Sequence, residues 1–340
     1  MIYRDKHIYN TFGLEAVADN YLEYCSAEEL LRELPDAPKP WLHVGGGSNL
    51  LFAAPRLAGT VFHNACNAIE PLEQDDESVL VKVGGGVVWD FFVEWCVAHG
   101  WYGAENLSLI PGEVGAAAVQ NIGAYGAEVK DIIKSVETID TETLSLRLFT
   151  REECLYGYRS SFFKTTEGRR YFVISVIFRL GLKPEFNLGY GALKDLNPEG
   201  LTLAKVREHI IATREAKLPD PAKIGSAGSF FMNPVVTKEK YEALAADYPD
   251  MPHYPAADGM VKLSAGWMID RCGLKGYRRG NAGVYDKQAL VLVNNGGATS
   301  GEIMSLAEEV IGKVSEKFGV TLRPEVQIIG HGPAHKKRVS

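Results

Sequence analysis

The chain lacks most of the features that announce a function at a glance. It has five cysteines in 340 residues, an odd number, and no CxxC. In so long a chain this argues against a disulfide framework and a structural zinc site and points to a reducing compartment, and no metal is expected. No apolar run approaches ~18 residues, so no transmembrane helix and no membrane insertion are expected. The start, Met1-Ile2-Tyr3-Arg4-Asp5-Lys6, has no apolar stretch behind it. A signal peptide is therefore not expected, and the cytoplasm is the default location. Basic charge is in deficit: 36 Lys and Arg against 43 Asp and Glu, a formal net charge of -7. Nucleic acid needs a basic face and is a poor partner for this surface, whereas a small anionic ligand needs only a local basic pocket. There is no internal repeat and no low-complexity segment.

What is present suggests a mixed fold. Ser26-Ala27-Glu28-Glu29 reads as a capping box before Leu30, Leu31 and Leu34. Trp41–Val44 and Ser78–Val83 read as strands, each running into three glycines. Asp90–His99 reads as a helix with Phe92, Trp95, Cys96 and His99 on one face and Gly100 closing it. Val136–Asp140 and Leu144–Leu148 suggest a hairpin, and Tyr171–Leu180 a long apolar strand. Ala204–Lys217 is helical in pattern, with Val206, Ile210 and Ile211 as its stripe. Leu218-Pro219-Asp220-Pro221 then breaks the chain. Beyond it come a strand at Ala289–Val293 and a helix carrying Ile303, Leu306, Val310, Val314 and Phe318, closed by Gly319. The tail from His331 reads as loose. Without a regular βαβ period, α+β is favoured over a doubly wound sheet.

The glycine runs invite a dinucleotide reading that their spacing rejects. GxGxxG starting at Gly45 would need glycine where Leu50 stands, and starting at Gly84 where Trp89 stands; no GK[ST] occurs either. Glycine still lets consecutive N–H groups converge on an anion such as a diphosphate. For Gly45-Gly46-Gly47-Ser48-Asn49 phosphate contact is favoured over a tight turn, while for Gly84–Gly86 the two readings are equal. A third segment, Ile110 to Gly126, is dominated by small residues. A flat ring system could lie against it, with Gln120 and Asn121 at the ring edge; the competing reading is a buried Ala/Gly helix.

In order along the chain stand Asn10-Thr11-Phe12-Gly13, the GGGSN run, Ile110–Gly126 with its QNIGAYG, Tyr156-Gly157-Tyr158-Arg159-Ser160-Ser161-Phe162-Phe163-Lys164, Gly225–Pro234 (GSAGSFFMNP) and Arg323-Pro324-Glu325. This set resembles the UDP-N-acetylenolpyruvoylglucosamine reductase family from about residue 10 to about 328. Leu188-Gly189-Tyr190-Gly191 matches the tyrosine loop of its longer class.

The resemblance implies a two-lobed FAD-binding domain of the vanillyl-alcohol-oxidase (PCMH) type plus a separate α+β substrate-binding domain. The expected division is 1–67 and 68–217 for the lobes, 218–319 for the substrate domain, and 320–340 as a return segment with Glu325 and a loose tail. It implies non-covalent FAD, NADPH as hydride donor, a sugar-nucleotide substrate and a role in peptidoglycan precursor synthesis; a monomer is expected. Flavin contacts fall on Gly45, Gly46, Gly47, Ser48, Asn49, Leu50, Ile110, Pro111, Gly112, Gly115, Gln120, Asn121, Ile122 and Gly123. Family members often carry hydroxyl residues or a proline where this chain has Ala116–Ala118, so phosphate binding there would rest on backbone N–H groups alone.

The implied reaction delivers hydride from flavin N5 to C3 of an enolpyruvyl ether and a proton to C2, through an enolate-like species. Arg159 suits the carboxylate and the developing charge, because guanidinium is always cationic and forms paired hydrogen bonds. Ser229 is the implied proton donor, although the residues alone favour an ordinary turn serine. Glu325, held extended after Pro324, would donate to the oxyanion, a task for a carboxyl that holds its proton. Arg214 and Lys217 are three apart at a helix end and share a face; with Tyr190, Asn233, Tyr254, Lys262 and Gln288 they are assigned to the substrate. Two rivals are weighed. Another FAD-linked sugar or alcohol oxidase would often bind flavin covalently through His or Cys, but Gly45–Leu51 has neither and His43 precedes the loop. A catalytically silent nucleotide-binding module would be expected to lack Arg159, Ser229 or Glu325.

Overall fold

A computed structural model describes residues 2–330 of the chain; the tail expected to be loose lies outside the described residues. The chain is α+β and folds into two units. The first comprises 2–8, Val17–Gly47 and Arg56–Ala216, the second Tyr9–Ala16, Ser48–Pro55 and 217–330. The division between the units falls after Ala216, beside the Leu218–Pro221 break. Two short stretches expected in the first lobe, and the return segment, belong with the second unit. No helix among the described residues is long and apolar enough to cross a membrane.

The first unit holds two large sheets. In the four-stranded one, Ile2–His7 pairs antiparallel with Val17–Tyr24, which runs parallel to Arg56–Asn64, which runs parallel to Trp41–Val44. Parallel neighbours need a crossover, and the helix Ala27–Glu33 lies in the one between Tyr24 and Trp41. Ser26 caps that helix by accepting the Glu29 N–H at 3.1 Å. The Glu29 carboxylate accepts from the Cys25 N–H at 2.9 Å, one residue before the cap that a reciprocal box would use.

The second sheet has five antiparallel strands in the order Ser145–Thr150, Ile133–Asp140, Tyr171–Gly181, Ser78–Gly84, Ile69–Gln74. Its central strand is buried on both faces: Phe172 and Ile174 join one core, Val176, Phe178 and Leu180 another. The helix Trp89–Ala98 covers the second face, and Phe92 stacks on Phe178 at 4.7 Å. A fully buried aromatic of this kind contributes roughly 1.5–3 kcal/mol through area removed from water. That helix buries Trp89, Phe92, Val93 and Cys96. Trp95 and His99, expected on the inner face, instead stack on each other at 4.1 Å at its margin. In the helix Leu203–Lys217 the buried stripe is Leu203, Val206 and Ile210, with Ile211 half-buried.

The second unit packs the helix Ser300–Phe318 against a sheet ordered Gly225–Ser229, Val291–Asn294, Ala282–Val284, Arg278–Arg279. The helix has a reciprocal Thr299/Glu302 capping box, and Ile303, Leu306, Val310, Val314 and Phe318 are buried as the spacing predicts. A three-stranded sheet orders Val235–Val236, Val261–Leu263 and His253–Pro255. Leu50–Phe52 pairs parallel with Gln327–Ile329. Phe12 is fully buried in this core, and its carbonyl accepts from the Asn294 amide at 2.9 Å.

Candidate active site

The two triple-glycine runs part ways here. The N–H groups of Gly84, Gly85 and Gly86 donate to the carbonyls of Ala68, Ile174 and Cys66 at 2.8, 2.7 and 3.0 Å. A Cβ on Gly84 would lie 2.2 Å from the Cys66 carbonyl, so this run is a close-packing device. Among the described residues, the N–H groups of Gly45, Gly46 and Gly47 donate to no backbone carbonyl. A Cβ at Gly45 would meet Ala116 at 3.1 Å and the Glu113 carboxylate at 3.2 Å. Three N–H groups without a backbone acceptor, on a turn packed closely over Glu113 and Ala116, fit the diphosphate of a flavin dinucleotide.

Glu113, which the sequence reading passed over, lies beneath that turn. Its side chain is 11% exposed, and His63 Nε2 meets its Oε1 at 2.9 Å while His63 Nδ1 meets Glu23 at 3.0 Å. The other Glu113 oxygen is buried and has no hydrogen-bond partner among the described residues. Burial lowers the His63 pKa, but the hydrogen bonds and charges of Glu113 and Glu23 outweigh it and hold the ring above its ordinary value. His43, ahead of the glycine turn, is half-buried, stacks on Phe172 at 4.4 Å and shares a 2.8 Å hydrogen bond with the Tyr24 hydroxyl. Burial, then the neighbouring His63, pushes its pKa down to about 3.

Val114–Gln120 forms a helix of small residues that ends on Asn121 in the left-handed region. Gly115 gives its N–H to the Gly85 carbonyl at 2.8 Å, so what it offers a ligand is closeness rather than a donor. Asn121 is fully buried. Its amide donates to the Gly157 carbonyl at 2.8 Å and to Glu128 at 3.2 Å, and its side-chain oxygen accepts the Lys130 N–H at 3.2 Å. Its side chain therefore braces the Arg159 turn. Beyond it, Gly123–Ala124 and Ala127–Glu128 make a small hairpin around Tyr125 and Gly126.

Arg159 sits at the tip of a turn closed by paired Gly157 and Ser160 hydrogen bonds, each 3.0 Å. Its φ is +51°, a conformation that costs a non-glycine residue roughly 1–2 kcal/mol. Strain of this kind collects at functional sites. The guanidinium donates to the Gly123 carbonyl at 2.6 Å and to Asn121 at 3.4 Å, which aims it along the hairpin. Arg214 lies near Tyr125 and Arg159. Burial, with Arg159 adding, lowers its pKa, while Tyr125 and Asp90 oppose the shift. Its Nε has no partner among the described residues. Tyr190 packs over Gly126, its Cβ 3.3 Å from where a Gly126 side chain would begin. The first unit thus gathers Arg159, Arg214 and Tyr190 around one hairpin; Lys217 is exposed at the end of the helix Leu203–Lys217.

The second unit unites Ser229 with Glu325. Phe231 bridges Pro324, the Glu325 N–H donates to the Phe230 carbonyl at 2.8 Å, and Met232 donates to Arg323 at 2.9 Å. Ser229 and Glu325 are therefore one register step apart on adjacent chain segments. Asn49 secures the latter: its amide donates to the Glu325 carbonyl at 3.3 Å, and its carbonyl accepts the Gln327 N–H at 3.0 Å. A bulge between Ser226 and Ser229, with Gly228 at φ +68°, re-aims the strand at Ser229. Gly225 serves close approach, since a Cβ there would lie 2.2 Å from the Phe12 carbonyl.

The remaining second-unit residues also converge. Tyr254 and Lys262 are cross-strand partners, the ammonium 5.8 Å from the ring centre. Asn233 accepts the Ala265 N–H at 2.9 Å, and Gln288 Oε1 lies 3.0 Å from where a Gly266 Cβ would stand. All four therefore surround Val261–Gly266.

Comparison with known proteins agrees with this anatomy. An FAD binding domain model matches residues 25–145, and a model of the UDP-N-acetylenolpyruvoylglucosamine reductase C-terminal domain matches 220–329. The molecule is a flavoprotein oxidoreductase with an FAD-binding domain. A UDP-N-acetylenolpyruvoylglucosamine reductase of Bacteroides fragilis (strain YCH46) is 50% identical over 325 residues, 94% of this chain and 97% of that one. The namesake of Porphyromonas gingivalis (strain W83) is 49% identical over 326 residues, covering 94% and 96%. A solved enzyme of that name from Thermus caldophilus superposes with a TM-score of 0.63 at 24% identity, over 94% of this chain and 95% of that one, and shows the fold. This chain belongs to the UDP-N-acetylenolpyruvoylglucosamine reductase family.

Proposed function

We propose that the chain carries out the NADPH-driven reduction of UDP-N-acetylenolpyruvoylglucosamine to UDP-N-acetylmuramate. The observation that supports this reading most directly is the pairing of 230–232 with 323–325, which sets the segments carrying Ser229 and Glu325 side by side from far apart in sequence. Gly45–Gly47, with Ser48, Asn49 and Leu50, would hold the FAD diphosphate. Ile110, Pro111, Gly112, Gly115, Gln120, Ile122 and Gly123 would line its ring system. FAD, reduced by NADPH, supplies the hydride that C3 receives.

Arg159 grips the enolpyruvyl carboxylate and opposes the negative charge that gathers on it. Ser229 passes its proton to C2, and Glu325 stabilises the enolate-like species beside it. Tyr190, Arg214, Lys217, Asn233, Tyr254, Lys262 and Gln288 are proposed to bind the substrate. Cofactor attachment is non-covalent in this reading, because His43 is engaged with Tyr24 and Phe172 and the glycine turn offers no thiol or imidazole. Residues 1–67 and 68–217 are proposed as the flavin lobes, 218–319 as the substrate domain and 320–330 as its return. Five free thiols fit a reducing cytoplasm.

Ser229→Ala tests the assignment. Overall turnover is expected to fall about 10²–10⁴-fold, as for loss of a positioned acid, while flavin reduction by NADPH, followed by bleaching of its visible band, stays normal. A fall of less than about 10-fold removes Ser229 as the proton donor.

A further inference from the structure

We propose that Asn187 is a positioning residue for substrate binding: it seats Tyr190 on the same hairpin that holds the Arg159 guanidinium. The inference rests on the proposed role of Tyr190 in binding the sugar nucleotide. Residues 184–189 have no regular secondary structure, so a few anchors set where Tyr190 stands. Phe186 and Leu188 turn into a small apolar cluster with Leu193, Val206 and Ile210, and Tyr125 packs against it. Asn187, between them, faces the other way and is exposed, yet both ends of the residue are engaged. Its side-chain amide donates to the Gly126 carbonyl at 3.0 Å, and its main-chain carbonyl accepts from the Asn106 amide at 2.8 Å.

Asn106 shows how much is arranged around this joint. It is 2% exposed, and its one amide group spans two chain segments by donating also to the Tyr125 carbonyl at 2.9 Å. Its own Oδ1 is left buried without a partner among the described residues. An unpaired buried oxygen is costly, and a lone amide tolerates it where two donors must reach two carbonyls. Gly126 completes the seat: its φ is +82°, and a Cβ there would stand 3.4 Å from the Asn187 amide nitrogen and 3.3 Å from Tyr190 Cβ. The Gly123 end of the hairpin receives Arg159 at 2.6 Å. One small hairpin thus sets the lateral position of both the cation and the aromatic ring.

A stitch that merely stabilised the loop would change thermal stability and leave substrate affinity alone. The test is a double-mutant cycle in the FAD-loaded enzyme with Asn187→Ala, Tyr190→Ala and the pair. Asn187→Ala is expected to raise the KM for the enolpyruvyl sugar nucleotide roughly 3–10-fold, the scale of one lost hydrogen bond. The kcat, the thermal midpoint and the rate of flavin reduction by NADPH should stay within about 2-fold or at the wild-type value. In the Tyr190→Ala background, adding Asn187→Ala should raise KM no further. An unchanged KM in Asn187→Ala beside a raised one in Tyr190→Ala overturns the positioning role alone. An equal rise in both backgrounds overturns it as well. An unchanged KM in Tyr190→Ala overturns the binding role of Tyr190 and the inference together.

Discussion

At the scale of single residues, the site is defined by backbone geometry as much as by side-chain chemistry. Arg159 holds a left-handed conformation and Ser229 follows a glycine-bearing bulge, so each is aimed by its main chain. Gly228 tests this. Its surroundings are open, and the penalty on a side chain comes from φ alone. Gly228→Ala should cost about 1–2 kcal/mol of stability, seen as a lower thermal midpoint, and should slow turnover; an unchanged midpoint would mean the bulge relaxes freely. Much of this was legible beforehand: Arg159, Ser229 and Glu325 all stand in recognisable motifs. The bulge was not, because a turn serine looks the same whether or not an extra residue re-aims its strand. Asn106, Asn187 and Glu113 were invisible for a related reason. Their importance lies in what faces them, and the same holds for the bonds of Asn121 to Gly157, Glu128 and Lys130, which folding brings in.

Among elements, the sequence was most readable where periodicity is strong, as in the capped helix Ser300–Phe318, and least where two runs looked alike. Gly45–Gly47 and Gly84–Gly86 both follow strands, and only the hydrogen-bond partners tell an open turn from a packed one. The open turn lies over the Glu23–His63–Glu113 bridge, which ties Val17–Tyr24, Arg56–Asn64 and the start of Val114–Gln120 together. For both ring nitrogens to donate, His63 must be charged. Since its folded pKa is raised, this bridge stabilises fully below the unfolded value near 6.5 and is lost as pH rises through the higher folded value. The wild-type thermal midpoint should therefore drop, as pH rises above about 6.5, more than that of His63→Gln. Parallel pH profiles for the two proteins would show that the bridge does not titrate in this way.

For the whole molecule, the connectivity matters more than the element count. The second unit needs Phe12, fully buried in its core, and Leu50–Phe52, the parallel partner of Gln327–Ile329. A fragment of residues 217–340 should therefore fail to unfold cooperatively on heating, and adding a peptide of residues 9–16 alone should not restore it, because the Leu50–Phe52 strand would still be missing. A sharp transition in the bare fragment would contradict this. Leu218-Pro219-Asp220-Pro221 reads as a break in the sequence, whereas the segments Tyr9–Ala16 and Ser48–Pro55 carry no linker-like composition. The same parallel pair has a consequence for synthesis. Leu50–Phe52 leaves the ribosome about 280 residues before Gln327–Ile329 does; at 5–20 residues per second that is a delay on the order of 15–55 s. Throughout it Leu51 and Phe52, buried in the finished protein, have no lasting partner. The nascent chain thus carries an unpaired apolar strand, a natural client for a chaperone, until its last residues are made.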